Sequence, residues 1–247
     1  MKKISFLTFL FSFLFLCSSI KAQDEGNNLK NFRFGLHATP AIAWYKPDNE
    51  KVYESNGSKL KFAYGLLAEF RLNKVASFAT GINVNYSGGT LRFIGDSISY
   101  SIENDKFYID NRVFNNVYVD IPLTLKMRTP EIGAMTYFGQ FGVNLGVLTK
   151  ARANDKGAMN NPASAEVTNE NVDIKKDMGF MSIGLNVGGG AEYNLAGTTS
   201  LVFGVNYHNG FANILQKKSE FLTDKNGNPL SMDVQSDYIS LSVGVLF

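Results

Sequence analysis

Only two imidazoles, His37 and His208, occur in the 247 residues, so acid–base or nucleophilic chemistry near neutral pH has to be built on one of them. His208 opens the run His208-Asn209-Gly210-Phe211 and has Ser200 and Ser182 as conceivable partners for an acyl-transfer pair. Neither histidine sits in a recognisable local pattern with a serine, so a solvated or hydrogen-bonded imidazole is expected and catalysis is not. The stretch Asp224-Lys225-Asn226-Gly227-Asn228 has the carboxylate and amides of a calcium loop, but its glycine comes too early and the distal glutamate is missing. It reads as a turn in which Asn-Gly supplies positive φ. The run Gly188-Gly189-Gly190 has no helix behind it and is not a phosphate loop. The single cysteine, Cys17, lies near the amino end. No catalytic residue, metal or cofactor is expected.

The elements that hold these residues alternate with period two. Phe34, Leu36, Ala38, Ile42 and Trp44 oppose Arg33, Gly35, His37 and Thr39 in the first segment, and Leu60, Phe62, Tyr64, Leu66, Ala68 and Phe70 oppose Lys61, Gly65, Glu69 and Arg71 in the second. Phe78 to Tyr86, Val117 to Met127, Tyr137 to Val147, Met181 to Tyr193 and Leu201 to Tyr207 repeat the scheme. The last segment carries Ile239, Leu241, Val243, Val245 and Phe247 on one side and Tyr238, Ser240, Ser242 and Gly244 on the other. A chain that ends on an aromatic at the close of such a strand resembles the assembly signal of bacterial outer-membrane β-barrels, carried here by Tyr238, Leu241, Val243, Val245 and Phe247. Eight strands are even in number, and a sheet that spans a membrane tolerates no free edge. The expected fold is all-β: an eight-stranded antiparallel transmembrane β-barrel, an up-and-down meander.

Alternation by itself also fits a secreted barrel with a greasy cavity. The polar face decides between the two. Gly35, Gly65, Gly81, Gly142, Gly146, Gly184, Gly188, Gly190, Gly204 and Gly244 lie on it, interleaved with Asn83, Asn85, Asn144, Asn186 and Asn206. Glycine weakens a strand unless space is short, and the lumen of eight strands is only wide enough for side chains to fill. The polar face therefore points inward and the apolar face meets lipid. Arg33, Lys61, Glu69, Arg71, Asp120, Lys126, Arg128 and Glu192 then share the interior, where charges must find partners or water. Pairing that seals the lumen is expected; a narrow ion path is the alternative.

Links between strands alternate in length. Those around Asn73, Pro130 and Asn194 are tight, whereas 45–59, 94–116, 150–177 and 210–237 are long. Short periplasmic turns and four long extracellular loops would give that order, with both termini in the periplasm. Aromatics band accordingly: Phe70, Phe78, Tyr137, Tyr193 and Phe247 at one interface, Trp44, Phe62, Tyr86 and Tyr207 at the other. Charges within 150–177 cancel, and the net charge of +2 gives no reason to expect nucleic acid. Ile98, Tyr100, Ile102, Phe107 and Ile109 suggest that the hairpin 94–116 rises above the membrane, where it is the leading contact site for a protein partner or surface ligand; self-pairing alone is the alternative. Outer-membrane lipid and, during insertion, the barrel-assembly machinery are the other expected partners.

At the amino end, Lys2 and Lys3 precede an apolar run at 4–17 and the small residues Ser18, Ser19 and Ala22, the order of a secretory signal peptide. The division is 1–22 signal peptide, 23–31 periplasmic segment and 32–247 barrel. Leu16 before Cys17 argues against a lipid anchor, and cleavage removes the only thiol.

Val117-Tyr-Val-Asp-Ile-Pro-Leu-Thr-Leu-Lys-Met-Arg128 resembles a segment of PorT-like outer-membrane β-barrel proteins of Bacteroidota, a porin-like family. Phe32-Arg-Phe-Gly-Leu36, Ala79-Thr-Gly-Ile-Asn-Val-Asn-Tyr86, Tyr137-Phe-Gly-Gln-Phe-Gly142 and Gly188-Gly-Gly-Ala-Glu-Tyr193 resemble it too. The resemblance implies the same barrel and admits a role in type IX protein secretion, for which the family is named. The residues favour a non-enzymatic structural or interaction component of the cell envelope. Alternatives are an accessory subunit of secretion or envelope assembly, a lipid-modifying enzyme, or a narrow pore. Intact-mass measurement of the protein taken from membranes is expected to find Gln23 first; a chain that keeps residues 1–22 would overturn the signal-peptide assignment.

Overall fold

A computed structural model describes residues 31–48, 50–95 and 98–247. The expected signal peptide, 1–22, and residues 23–30 lie outside the described residues. Among those described are twelve strands: β1 (Phe32–Pro47), β2 (Tyr53–Ser55), β3 (Lys59–Arg71), β4 (Ala76–Ser87), β5 (Thr90–Phe93) and β6 (Ser99–Ile102). They continue as β7 (Asp105–Arg128), β8 (Met135–Met159), β9 (Glu166–Asp173), β10 (Met181–Ala196), β11 (Thr199–Gly210) and β12 (Val234–Leu246).

Eight of these close a ring in the order β1, β3, β4, β7, β8, β10, β11, β12, every pair antiparallel. The seam joins the two ends of the chain, from Gly35 opposite Leu246 to Pro47 opposite Val234. The backbone N–H of Phe247 adds a bond to the carbonyl of Phe34 at 2.8 Å. Each of the eight expected strands lies in one ring strand, and the barrel is the eight-stranded meander that the alternation predicts.

The outside of the ring is apolar. Leu60 is 79% exposed, Leu36 58%, Ile82 57%, Val205 56% and Leu241 51%. Such a girdle has no favourable solvent except hydrocarbon. Phe32 and Phe70 meet at 5.1 Å and Phe34 and Phe247 at 5.5 Å near the end with tight turns. Tyr64 meets Phe62 at 6.2 Å and Tyr86 at 6.4 Å toward the other end. Eight residues separate Phe62 from Phe70, or about 26 Å along the strand, close to the height of a lipid-facing band. Inside, space is short as expected: a Cβ on Gly184 would overlap the His208 ring, and one on Gly188 the Asn206 amide.

At the turn end, the Asn73 carboxamide oxygen accepts bonds from the N–H groups of Val75 and Ala76 at 2.8 and 2.7 Å, which closes the β3–β4 turn. Gly133 and Gly197 take the positive φ values, 68° and 60°, that the other two turns need.

The other end departs from the sequence reading. Residues 94–116 and 150–177 are not plain loops, because β7 and β8 run on for 24 and 25 residues, about twice what the bilayer requires. Two bulges hide this continuation. Thr149 in β8 and Asp110 in β7 have no partner across the ladder, and each moves the buried positions from even to odd numbers or back. Strands β5, β6 and β9 pair onto the extension, β2 adds to the edge of β5, and the four long links fold over it into a crown with its own core. Tyr45 and Tyr53 come from the first link, Leu91, Phe93, Ile98, Tyr100, Phe107 and Phe114 from the second. Ala151, Ala153, Ile174 and Met178 come from the third, and Ile214, Leu215, Leu222, Leu230 and Met232 from the fourth.

The hairpin within 94–116 exists as β6 and the start of β7, and its Ile98, Tyr100, Phe107 and Ile109 are buried in the crown core. The β7 strand is paired on both sides by β5 or β6 and by β8. The longest edge left with one neighbour among the described residues is β9, which pairs with β8 alone.

Leu66→Arg, at mid-height on the lipid face, is expected to cost about 2–4 kcal/mol of folding free energy in vesicles, while Thr168→Arg on the crown costs little. Denaturant titration of the two variants in lipid checks it; equal effects would remove the lipid from the account.

Candidate functional site

The lumen is built from one inward-facing residue in two on each ring strand, and strand register decides which of them meet. Arg33 lies opposite Glu69 across β1 and β3. Its guanidinium donates to Glu69 Oε2 at 2.6 Å and to Glu192 Oε2 at 2.8 Å. Lys126 Nζ bridges Glu69 and Glu192, 2.5 Å from each, and lies 4.2 Å from the centre of the Phe138 ring. Arg128 Nη2 donates to Glu69 at 2.8 Å and to the Ser77 hydroxyl at 3.0 Å. All five charged residues of this network are buried. With several partners per carboxylate, the cluster offsets the desolvation that isolated buried ions could not. It forms a plug near the turn end.

Of the eight interior charges expected from sequence, register thus brings Arg33, Glu69, Lys126, Arg128 and Glu192 together. Arg71 stands beside them within the same electrostatic field but without a bond from its Nε or Nη1. Lys61 and Asp120 lie elsewhere. Lys61, eight positions above Glu69 on β3, reaches the Asn115 carboxamide oxygen at 3.1 Å under the crown. Asp120 accepts from Asn85 at 2.7 Å in the upper lumen.

Above the plug is a cavity of about 130 Å³ lined by short polar side chains, among them His37, Asn83, Gln140, Asn206 and Ser242. His37 Nε2 pairs with Asn83 Oδ1 at 2.7 Å, and Thr39 Oγ1 lies 3.1 Å from its Nδ1. Gln140 donates to Asn206 at 2.6 Å and Asn206 to Ser242 at 2.7 Å. His208 stacks on Tyr238 with ring centres 4.4 Å apart and planes 8° from parallel. Its Nδ1 lies 3.4 Å from the Asn144 amide nitrogen. Ser182 lines the same small space of about 20 Å³ as His208, without a hydrogen bond between them. Ser200 sits eight residues away along β11, about 26 Å. The roof of that space is Tyr45, Tyr118 and Ile214, part of the crown core. The lumen is therefore closed by ions below and by packed aromatics above.

One group of polar residues escaped the sequence reading. Arg112, 1% exposed, and Asp155, 0%, form a two-pronged pair deep in the crown, with Nε and Nη2 each 2.7 Å from a carboxylate oxygen. The Tyr100 hydroxyl donates to Asp155 at 2.9 Å and accepts from Asn169 at 3.0 Å. Burial works against the Arg112 charge, but the Asp155 carboxylate outweighs it and holds the guanidinium above its ordinary value. Burial and the same carboxylate push the Tyr100 phenol up. The pair links β7 to β8, while Asn169 ties β9 to them. Asp177 does similar work lower down, accepting from the Ser219 hydroxyl and the Glu220 N–H at 2.6 Å each. The only available signal was the row Phe107, Ile109, Phe114, whose phase the bulge at Asp110 breaks. Asp155 falls among the charges of 150–177, whose near-zero sum conceals it.

The remaining sequence candidates fall into place. Leu241, Val243, Val245 and Phe247 face outward at the closing strand, whereas Tyr238, grouped with them in the assembly signal, points into the lumen against His208. Asp224 Oδ1 accepts from the N–H groups of Asn226 and Asn228 at 2.8 Å each, and Gly227 has φ 79°. That segment is a turn.

A closed ring with a lipid-facing girdle and a packed polar interior defines an integral membrane β-barrel. The sequence matches the family described as outer membrane protein beta-barrel domain over residues 21–174, and the chain belongs to that family. It is thus a protein of the bacterial outer membrane. No curated protein matches the sequence. Among solved structures, Neisserial surface protein A is similar at 16% identity, over 87% of this chain and 97% of its own, with a TM-score of 0.41. OprG from Pseudomonas aeruginosa is similar at 13% identity over 87% and 95%, with a TM-score of 0.42. Ail, the attachment invasion locus protein of Yersinia pestis, gives 12% identity over 88% and 100%, with a TM-score of 0.36.

Asp155→Asn leaves Arg112 buried without its counter-ion and is expected to destabilise the crown by about 3–5 kcal/mol, whereas Arg112→Leu with Asp155→Leu recovers most of the loss. Hydrogen exchange along β7 and β9 reads the effect against an unchanged ring; exchange that rises equally in both would refute a separate crown core.

Proposed function

We propose that this protein is a non-enzymatic interaction component of the outer membrane, in which the barrel is the anchor and the crown is the working surface. The observation that carries this reading is the crown itself: four long links and the extended β7–β8 ladder are locked around one buried core and an internal ion pair. Ordering that much chain costs conformational entropy, which packing must repay, and the product is a rigid platform rather than a set of mobile loops. The short turns favour placing both termini in the periplasm and the crown outside the cell. The ion plug and aromatic roof argue against a solute path, and the lack of a serine bonded to either histidine among the described residues argues against acyl transfer.

A second reading, a subunit of a secretion or envelope-assembly machine, draws on the PorT-like segments at 117–128 and 188–193. Both readings place a protein partner on the crown. Its site of contact is the free edge of β9, with the end of β6 near Ser101 in the hairpin 94–116 beside it, since unpaired strand edges accept a further strand; Ser99 of β6 is already bridged to Thr223.

Photo-crosslinking residues at Thr168 on β9 and Ser101 on β6 are expected to trap a discrete protein adduct in intact cells, while one at the lipid-facing Leu185 does not. Absence of adducts from both crown positions would sink the interaction reading. Single-channel steps from the purified barrel would instead make it a pore, and a lipid A profile changed by His208→Ala would make it an enzyme.

A further inference from the structure

The ion plug is not balanced. Arg33, Arg71, Lys126 and Arg128 face Glu69 and Glu192, four cations against two carboxylates, which leaves an excess of two positive charges inside the turn end. Low-dielectric surroundings make such an excess costly unless an anion or water meets it. The excess is localised by the hydrogen bonds. Both carboxylates are held by Arg33 and Lys126, and Arg128 adds one nitrogen, Nη2. Arg128 Nε and Arg71 Nε and Nη1 are buried with no partner.

Strand register sets both arginines beside Ser77. Arg71 lies opposite Ser77 across β3 and β4, and the Arg128 N–H bonds the Val75 carbonyl at 2.8 Å on the far side of β4. Ser77, 1% exposed, thus sits between the two guanidiniums, its hydroxyl already taking Arg128 Nη2. Arg128 is itself only 8% exposed, so its idle Nε is not turned toward bulk water. Two guanidinium forks flanking a hydroxyl are the donor set that binds a planar or tetrahedral oxyanion, with paired N–H groups meeting paired oxygens.

We propose that Arg71, Ser77 and Arg128 form a binding site for an oxyanion at the turn end of the lumen, distinct from the crown surface. The chemistry is that of a phosphate or carboxylate group. Its source is a free anion such as inorganic phosphate entering from the aqueous side of the turns, which would turn a surplus of charge into a balanced plug.

The test uses the mature protein in detergent micelles, with inorganic phosphate exchanged for chloride at constant ionic strength and thermal unfolding as the readout. A free-anion site predicts an unfolding midpoint that rises with phosphate and saturates, and Arg71→Gln weakens the apparent affinity roughly tenfold or more. An unfolding midpoint indifferent to phosphate would overturn the proposal. So would Arg71→Gln raising the midpoint with no anion dependence, since that is simple relief of repulsion.

Discussion

Backbone N–H and C=O groups cannot be left unpaired in hydrocarbon, and the whole architecture follows from that single demand. It requires the sheet to close, and closure falls on the pairing of β1 with β12, whose partners Gly35 and Leu246 stand at opposite ends of the chain. Once closed, eight strands fix a lumen too narrow for large side chains on every inward position. Glycine and short amides accommodate the squeeze, and the few long charged residues are gathered wherever the register sets them side by side. The ion plug is therefore less an ornament of the barrel than a consequence of its circumference.

Much of this was legible in the chain. A membrane is a uniform solvent, so the outward face of every ring strand obeys one rule and the period of two survives without interruption in segments such as 60–71. Strand number, the inward face and the alternation of tight and long links could all be read from it. What stayed hidden depended on register and on local irregularity. Lys61 and Glu69 lie on the same face of β3, and nothing in the residue types says that one meets Arg33 while the other reaches Asn115. Thr149 and Asp110 each add one residue to a ladder and reverse the phase, so a search for alternation stops where the strands continue. The pairing of Arg112 with Asp155 is hidden for that reason.

The two bodies of the molecule are stabilised by different physics. Below, apolar side chains point out to lipid and the polar ones are confined within; above, Phe107, Phe114 and Leu222 point in and Arg92 and Lys156 point out, as in any water-soluble sheet. The inversion takes place within single strands of β7 and β8. Tyr45, Tyr118 and Ile214 mark the level at which it happens, since they close the lumen and belong to the crown core at once. Packing at that level makes the seal of the barrel and the base of the crown the same set of atoms.

The unbroken length of β7 and β8 has a bearing on reach. From Val117 to Asp105 the ladder climbs roughly 40 Å, so its tip stands well clear of the bilayer surface. A macromolecule can grip that tip without brushing a single acyl chain. The pull it exerts travels down hydrogen-bonded ribbon, past the bulges at Asp110 and Thr149, into the wall of the ring.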